Sequence, residues 1–215
     1  MFILTQVIEG VKSSGRQCFI AFMDIEKAYD RINRSLMWEI CKKVGLNPKI
    51  INILKSLYSD TKAKYSLGGI ESDWVESKRG VRQGCILSPT LFAMFMEELT
   101  QRMKKLDVGL KILTDKISIL LFADDIVLIA TSEDELQRLL DEVERFASDS
   151  ETKFSIEKSQ VLIVGREINE LDRWKFNGET LKITKEYTYL GIKINQSGAR
   201  AEKKKRIGGA EQWCG

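Results

Sequence analysis

Apolar and polar positions along this chain follow two different periods, and the switches between them mark out its elements. Phe2, Ile3, Leu4, Val7, Ile8 and Val11 recur at helical spacing up to the Ser13-Ser14-Gly15 break, which predicts a helix over residues 2–12. Cys18-Phe19-Ile20-Ala21-Phe22-Met23 is then an unbroken apolar run of buried-strand length, and it ends on Asp24. Helical spacing returns at about 34–44, where Met37, Ile40, Cys41 and Val44 share a face and Gly45 is the stop. The next helix has Asn47 as cap and Pro48 at its first position, and it turns Ile51, Leu54 and Tyr58 inwards. These two helices are expected to cover the back of a sheet. Residues 62–67 alternate, Gly68-Gly69 turns the chain, and Trp74-Val75 begins a second extended run, the pattern of a β-hairpin. Ser88-Pro89 reads as a cap and a first-turn proline for a helix whose buried stripe is Phe92, Phe95, Met96, Leu99 and Met103.

The stretch from Ile117 to Ala130 sets two β-prone runs on either side of an Ala-Asp-Asp break, so it predicts a hairpin with Asp124 and Asp125 at its tip. Beyond it, Ser132-Glu133-Asp134-Glu135 is a capping box, and Leu136, Leu139, Leu140, Val143 and Phe146 continue as a helix. Residues 154–164 return to strand, Asn177-Gly178 between two β-like runs signals a hairpin, and Tyr187 to Ile194 alternates as another. Helices mixed with antiparallel hairpins indicate an α+β fold.

Adjacent carboxylates among so much apolar surface are costly to keep ionised without a cation or hydrogen bonds. An ordinary Asp-rich turn is the alternative. If the strand ending on Asp24 neighbours the hairpin, three hard-oxygen ligands converge, the kind of set that suits magnesium together with water and substrate phosphates. Such a set would equip two-metal phosphoryl transfer.

Composition narrows the chemistry. The 215 residues suffice for one large domain or two small ones, and an apolar content of 43% marks a globular chain. There is no histidine, which excludes Ser-His hydrolysis and zinc sites built on His. A net charge of +3 is too weak to argue for nucleic acid by itself, so any grip on phosphate must come from local clusters. Lys62, Lys64, Lys78, Arg79 and Arg82 flank the hairpin; a solvated charged face is the ordinary reading of such a cluster, and a phosphate-facing edge is the alternative because it abuts a Gly-rich turn. Cys18, Cys41, Cys85 and Cys214 lack Cys-x-x-Cys spacing and read as reduced thiols. With no signal-peptide pattern and no membrane-length apolar run, an intracellular protein is expected, nucleus and cytoplasm being indistinguishable.

Asp24-Ile25-Glu26-Lys27-Ala28-Tyr29-Asp30, Gly80-Val81-Arg82-Gln83-Gly84-Cys85-Ile86-Leu87-Ser88-Pro89 and Phe122-Ala123-Asp124-Asp125 resemble, in order, the first three palm motifs of reverse transcriptases. The wording is closest to the non-LTR retrotransposon branch of LINE and jockey-like elements, and the likeness runs from about Met1 to about Ile207. The resemblance implies a polymerase palm, an antiparallel sheet with helices packed on one face, with partial fingers and no thumb. On it, residues 1–196 are the palm with part of the fingers, and 197–215 are a polar tail that either starts a thumb or frays. It further implies two Mg2+ ions, with Mn2+ as the alternative, on Asp24 and Asp124 supported by Asp125. Lys158 would protonate the leaving pyrophosphate. Tyr29 would sit under the incoming sugar, with Arg82, Gln83 and Gly84 lining the nucleotide pocket. Independently of the resemblance, Lys62, Lys64, Lys78 and Arg79 are the candidate nucleic-acid contacts if the basic cluster is a phosphate-facing edge. The implied partners are an RNA template, a DNA primer and a deoxynucleoside triphosphate, with no membrane. The competing expectation is a catalytically silent, truncated retroelement remnant that at most binds nucleic acid or a partner.

Overall fold

The structure, a computed structural model, describes residues 2–64, 66–112, 115–168, 173–196 and 198–200. Helix α1 (Phe2–Ser13) leads into strand β1 (Cys18–Ile25), the short helix α2 (Ala28–Arg31), α3 (Arg34–Lys43) and α4 (Pro48–Ser59). Four two-residue strands follow, β2 (Lys62–Ala63), β3 (Ser66–Leu67), β4 (Ile70–Glu71) and β5 (Val75–Glu76). Then come α5 (Ser88–Lys105), β6 (Leu110–Ile112), β7 (Asp115–Ile117), β8 (Ile119–Phe122), β9 (Asp125–Ala130), α6 (Glu133–Ser150) and β10 (Phe154–Val164). The described chain ends in β11 (Lys175–Phe176), β12 (Glu179–Thr180), β13 (Lys182–Thr184), β14 (Glu186–Tyr189), β15 (Ile192–Asn195) and β16 (Gly198–Arg200).

One sheet of order β13-β10-β1-β9-β8 organises the rest, with β1 at its centre and every pairing antiparallel except that of β13 on β10. Phe19, Ala21, Met23, Ile126, Leu128, Val161 and Ile163 face one way and pack with buried residues of α3, α4, α5 and α6. Cys18, Ile20, Phe22, Val127, Ile129, Leu162 and Val164 face the other way. That second face is closed by Leu4, Val7, Ile8 and Val11 of α1 and by Tyr189 and Ile194 of the β14–β15 hairpin. Helices α3 to α6 therefore share one face, as expected, while α1 does more than deliver the chain to β1. A central strand covered on both sides has no polar face to alternate with, which is why β1 reads as one continuous apolar run.

The caps follow from local chemistry. Asn33 and Asn47 accept the backbone N–H of Leu36 and Lys49 at 3.2 and 2.9 Å, and Ser132 accepts that of Glu135 at 3.2 Å. Glu135 reaches back to the Thr131 N–H at 2.8 Å, closing the reciprocal arrangement at the start of α6. Ser88 departs from expectation. It is already helical, it is 1% exposed, and its hydroxyl donates to the Arg82 carbonyl at 2.6 Å, so it ties α5 to the preceding loop instead of capping the helix. Asn177 and Gly178, with φ of 50° and 78°, make the two-residue turn between β11 and β12. Of the expected polar tail, Gly198–Arg200 pairs with β15, and residues 201–215 lie outside the described residues.

Candidate active site at the hairpin tip

The sheet register brings the first two candidate carboxylates together. Asp24 on β1 is the direct antiparallel partner of Asp125 on β9, and such partners have Cα atoms about 4.5–5.5 Å apart. The period of two puts Asp24 on the face of Phe22 and Asp125 on that of Val127, which is the face covered by α1 and the β14–β15 hairpin. Asp124 precedes Asp125 in the two-residue connection of β8 to β9, closed by the Phe122–Asp125 pair. Ala123, the other connecting residue, has φ of 53°, a left-handed conformation that costs a non-glycine residue about 1–2 kcal/mol.

Asp125 is the carboxylate that the tip disfavours in its charged form. Burial, then the charges of Asp124 and Asp24, push the Asp125 carboxyl above its ordinary value. The Tyr187 hydroxyl is raised by burial and by Asp125 and Asp24, and that of Tyr189 is pushed up to about 12, by burial and then by Asp125 and Tyr187. The Tyr187 ring stacks on Phe22 at 4.0 Å, so the β14–β15 hairpin carries its tyrosines to the aspartates. Hard oxygens in mutual repulsion are the donor set a divalent cation would relieve. Among the described residues, no three acidic, Cys or His groups are already drawn into a metal-binding cluster.

Lys158 enters from β10. Its Nζ is 3.5 Å from Asp24 Oδ2, and the side chain is otherwise mostly exposed. It arrives there because the β1–β10 ladder breaks its register between Phe22 and Asp24.

Tyr29 stands on the other side of the tip, in α2, stacked on Phe92 of α5 at 5.0 Å. Tyr29, Phe92, Met96, Leu121 and Ala123 line a cavity of about 460 Å³ that reaches the turn before Asp124. The Gly-rich loop is fastened to Tyr29 by backbone: Gly80 N–H donates to the Ile32 carbonyl at 2.9 Å and Val81 N–H to that of Tyr29 at 2.7 Å. A side chain on Gly80 would meet the Tyr29 and Asp30 carbonyl oxygens at 2.6 Å. The Gln83 amide donates to Asp30 at 2.8 Å, which holds it next to Tyr29, while Gly84 borders open space.

Residues 3–194 match the family described as reverse transcriptase (RNA-dependent DNA polymerase). The chain belongs to the reverse transcriptase family. It is 30% identical to the Pol polyprotein of the type-2 retrotransposable element R2DM of Drosophila melanogaster, over 85% of this chain and 18% of that one. It is 27% identical to the Pol polyprotein of the type-1 element R2 of Nasonia vitripennis, over 91% of this chain and 21% of that one. It is also 27% identical to the RNA-directed DNA polymerase of the mobile element jockey of Drosophila funebris, over 82% of this chain and 19% of that one. The chain thus spans about a fifth of the length of these relatives. In three dimensions it is similar to the apo telomerase of Candida tropicalis truncated from its C-terminal domain, with a TM-score of 0.66 at 19% identity over 94% of this chain and 39% of that one. A telomerase of the same organism in complex with a fragment of telomeric RNA gives a TM-score of 0.64 at 18% identity, over 95% of this chain and 33% of that one. These likenesses show the polymerase palm fold. Reverse transcriptases generally use divalent metal ions.

Other candidates of this reverse transcriptase domain are placed differently. The Arg82 guanidinium donates to the Leu57 carbonyl at 2.6 Å and lies over the Tyr58 ring, so it is turned to the end of α4 and away from Gln83. Lys64 pairs with Glu71, Lys78 with Glu76 at 3.5 Å, and Arg79 with Glu151, while Lys62 is exposed opposite Glu76. The expected basic edge is therefore largely neutralised. Lys78 meets its acid two residues away, while Lys64 and Arg79 meet theirs across the hairpin and at the end of α6.

Arg34 is a residue the sequence reading missed. Its guanidinium donates to the carbonyls of Gly80 and Ser77 at 2.7 Å, of Arg79 at 3.1 Å and of Tyr58 at 3.2 Å, and burial lowers its pKa. It fastens the Gly-rich loop and the hairpin strands to α3. The one sequence signal was an arginine at the first position of a helix, where the macrodipole disfavours a cation.

Proposed function

We propose that this domain is the RNA-directed DNA polymerase core of a non-LTR retrotransposon, joining a deoxynucleotide to a primer 3′-hydroxyl on an RNA template. The observation that carries this reading is the cross-strand Asp24–Asp125 pair, with Asp124 at the adjoining tip, beside a cavity walled by Tyr29. Asp24, Asp124 and Asp125 would hold two divalent ions, taken as magnesium, which lower the pKa of the attacking hydroxyl and neutralise charge on the phosphates. The 3′-oxygen bonds to the α-phosphorus as the bond to pyrophosphate breaks. Lys158, which pairs with Asp24, would give a proton to the leaving group. Tyr29, held by Phe92, offers a rigid ring against which a ribose 2′-hydroxyl would clash. Gln83, held by Asp30, would line the same nucleotide pocket. The template, primer and triphosphate are the partners of this reaction, and it takes place inside a cell.

Primer extension with magnesium on an RNA template tests the proposal, using this chain and a longer one that adds its flanking coding sequence. The longer chain extends the primer by orders of magnitude more, because positioning supplies much of the rate. Asp24→Asn and Asp124→Asn abolish that extension. A catalytically silent remnant is the second reading, favoured by the neutralised basic hairpin, and it predicts that the longer chain stays inactive with all three aspartates present.

A further inference from the structure

The β1–β10 ladder is irregular beside the carboxylates. Phe22 pairs with Gln160 and Asp24 with Ser155, so two steps along β1 face five along β10. The excess is looped out around Ile156, Glu157 and Lys158, and bulges of this kind re-aim side chains at the cost of ladder hydrogen bonds. Regular pairing resumes beyond Asp24, where Glu26 N–H donates to the Lys153 carbonyl at 2.8 Å.

Ser159 supplies the missing partners. It is 0% exposed, its hydroxyl oxygen accepts the Asp24 backbone N–H at 3.2 Å, and the hydroxyl donates to the Ser155 carbonyl at 2.7 Å. One hydroxyl thus satisfies a donor on β1 and an acceptor on β10 that a regular ladder would have paired with each other's strand. Its immediate neighbour is Lys158, whose ammonium meets Asp24 Oδ2.

We propose that Ser159 is a positioning residue of the active site: through the closed bulge it sets both the Asp24 carboxylate and the Lys158 ammonium. The inference rests on the metal reading of Asp24 above. An alanine in its place leaves the Asp24 N–H and the Ser155 carbonyl without the partner that closes the loop. Groups that orient a metal ligand cost about 10- to 100-fold in metal affinity when removed.

Mn2+ titration followed by electron paramagnetic resonance, on the 215-residue chain well below its melting temperature, tests this together with amide hydrogen exchange. Ser159→Ala weakens Mn2+ binding about tenfold or more, speeds exchange of the Asp24 amide, and leaves amides of α6 as protected as before. Ser159→Thr, which keeps the hydroxyl, restores both. In the unsubstituted chain the Asp24 amide is protected, a requirement that holds even if Ser159→Ala fails to fold. Rapid exchange of that amide in the unsubstituted chain overturns the proposal, as does Ser159→Ala binding Mn2+ as tightly as the unsubstituted chain. If Asp24→Asn weakens Mn2+ and Ser159→Ala does not, only the role of Ser159 falls. If neither does, the metal reading falls with it.

Discussion

Replacing Gly80 by alanine should be far more damaging than the same change at Gly84, although both glycines stand in one motif with nearly equal φ, 78° and 77°. The left-handed backbone alone costs an alanine about 1–2 kcal/mol at either site. At Gly84 that is the whole cost, since nothing lies within 4 Å of an added Cβ. At Gly80 the Cβ would stand 2.6 Å from two carbonyl oxygens, both backbone, so the loop must back away from α2. Doing so strains the bonds Gly80 N–H to Ile32 and Val81 N–H to Tyr29, each worth about 1 kcal/mol. The total is about 3–4 kcal/mol, or roughly 6–16 °C in Tm for a domain of this size. Urea and thermal denaturation of the two variants side by side would measure it. The same movement would separate Tyr29 from Gln83, so Gly80→Ala should also raise the nucleotide KM in an active longer chain. Equal costs at the two glycines would refute the close approach and the placement of the loop on Tyr29.

Arg34→Ala should cost about 3 kcal/mol in denaturant unfolding, because four carbonyls lose a charged donor; Arg34→Lys should recover less than half, since an ammonium lacks the guanidinium fork. Asp125→Asn should stabilise the metal-free chain at pH 7. A carboxyl whose folded pKa is raised favours folding while protonated and opposes it once ionised, so the gain should fade as pH falls from that raised pKa towards the ordinary 3.8, and a gain that grew on acidification would contradict this. Tyr29→Val should raise ribonucleotide use relative to deoxynucleotide in primer extension by an active longer chain, at a stability cost of about 1 kcal/mol from the lost stacking on Phe92; an unchanged ratio would reduce Tyr29 to a packing residue.

What was legible in the sequence is what local physics decides. Continuous apolar runs announced β1, β9 and β10, Asn47, Ser132 and Asn177-Gly178 announced their own caps and turn, and the polar break at Asp124-Asp125 announced the hairpin. What escaped is set by contacts distant in sequence. The bulge at Ser159 depends on which residues of β1 lie opposite, and nothing in Phe-Ser-Ile-Glu-Lys-Ser-Gln distinguishes it from an ordinary strand. Arg34 finds its carbonyls more than twenty residues away. Ser88 has the composition of a cap, but the Arg82 carbonyl competes for its hydroxyl. The basic cluster is paired with Glu71, Glu76 and Glu151; Glu76 is two residues from Lys78 and was there to be read, whereas Glu71 and Glu151 are brought in by the hairpin and by the end of α6.

Diffraction from crystals of this chain soaked with Mn2+ and a deoxynucleoside triphosphate, read at the manganese absorption edge, tests the central claim most directly. The account predicts anomalous density within coordination distance of carboxylate oxygens of Asp24 and Asp124 or Asp125, with the triphosphate beside it and its sugar against Tyr29. Manganese bound elsewhere, or a triphosphate that never approaches Asp24 and Asp125, would contradict it.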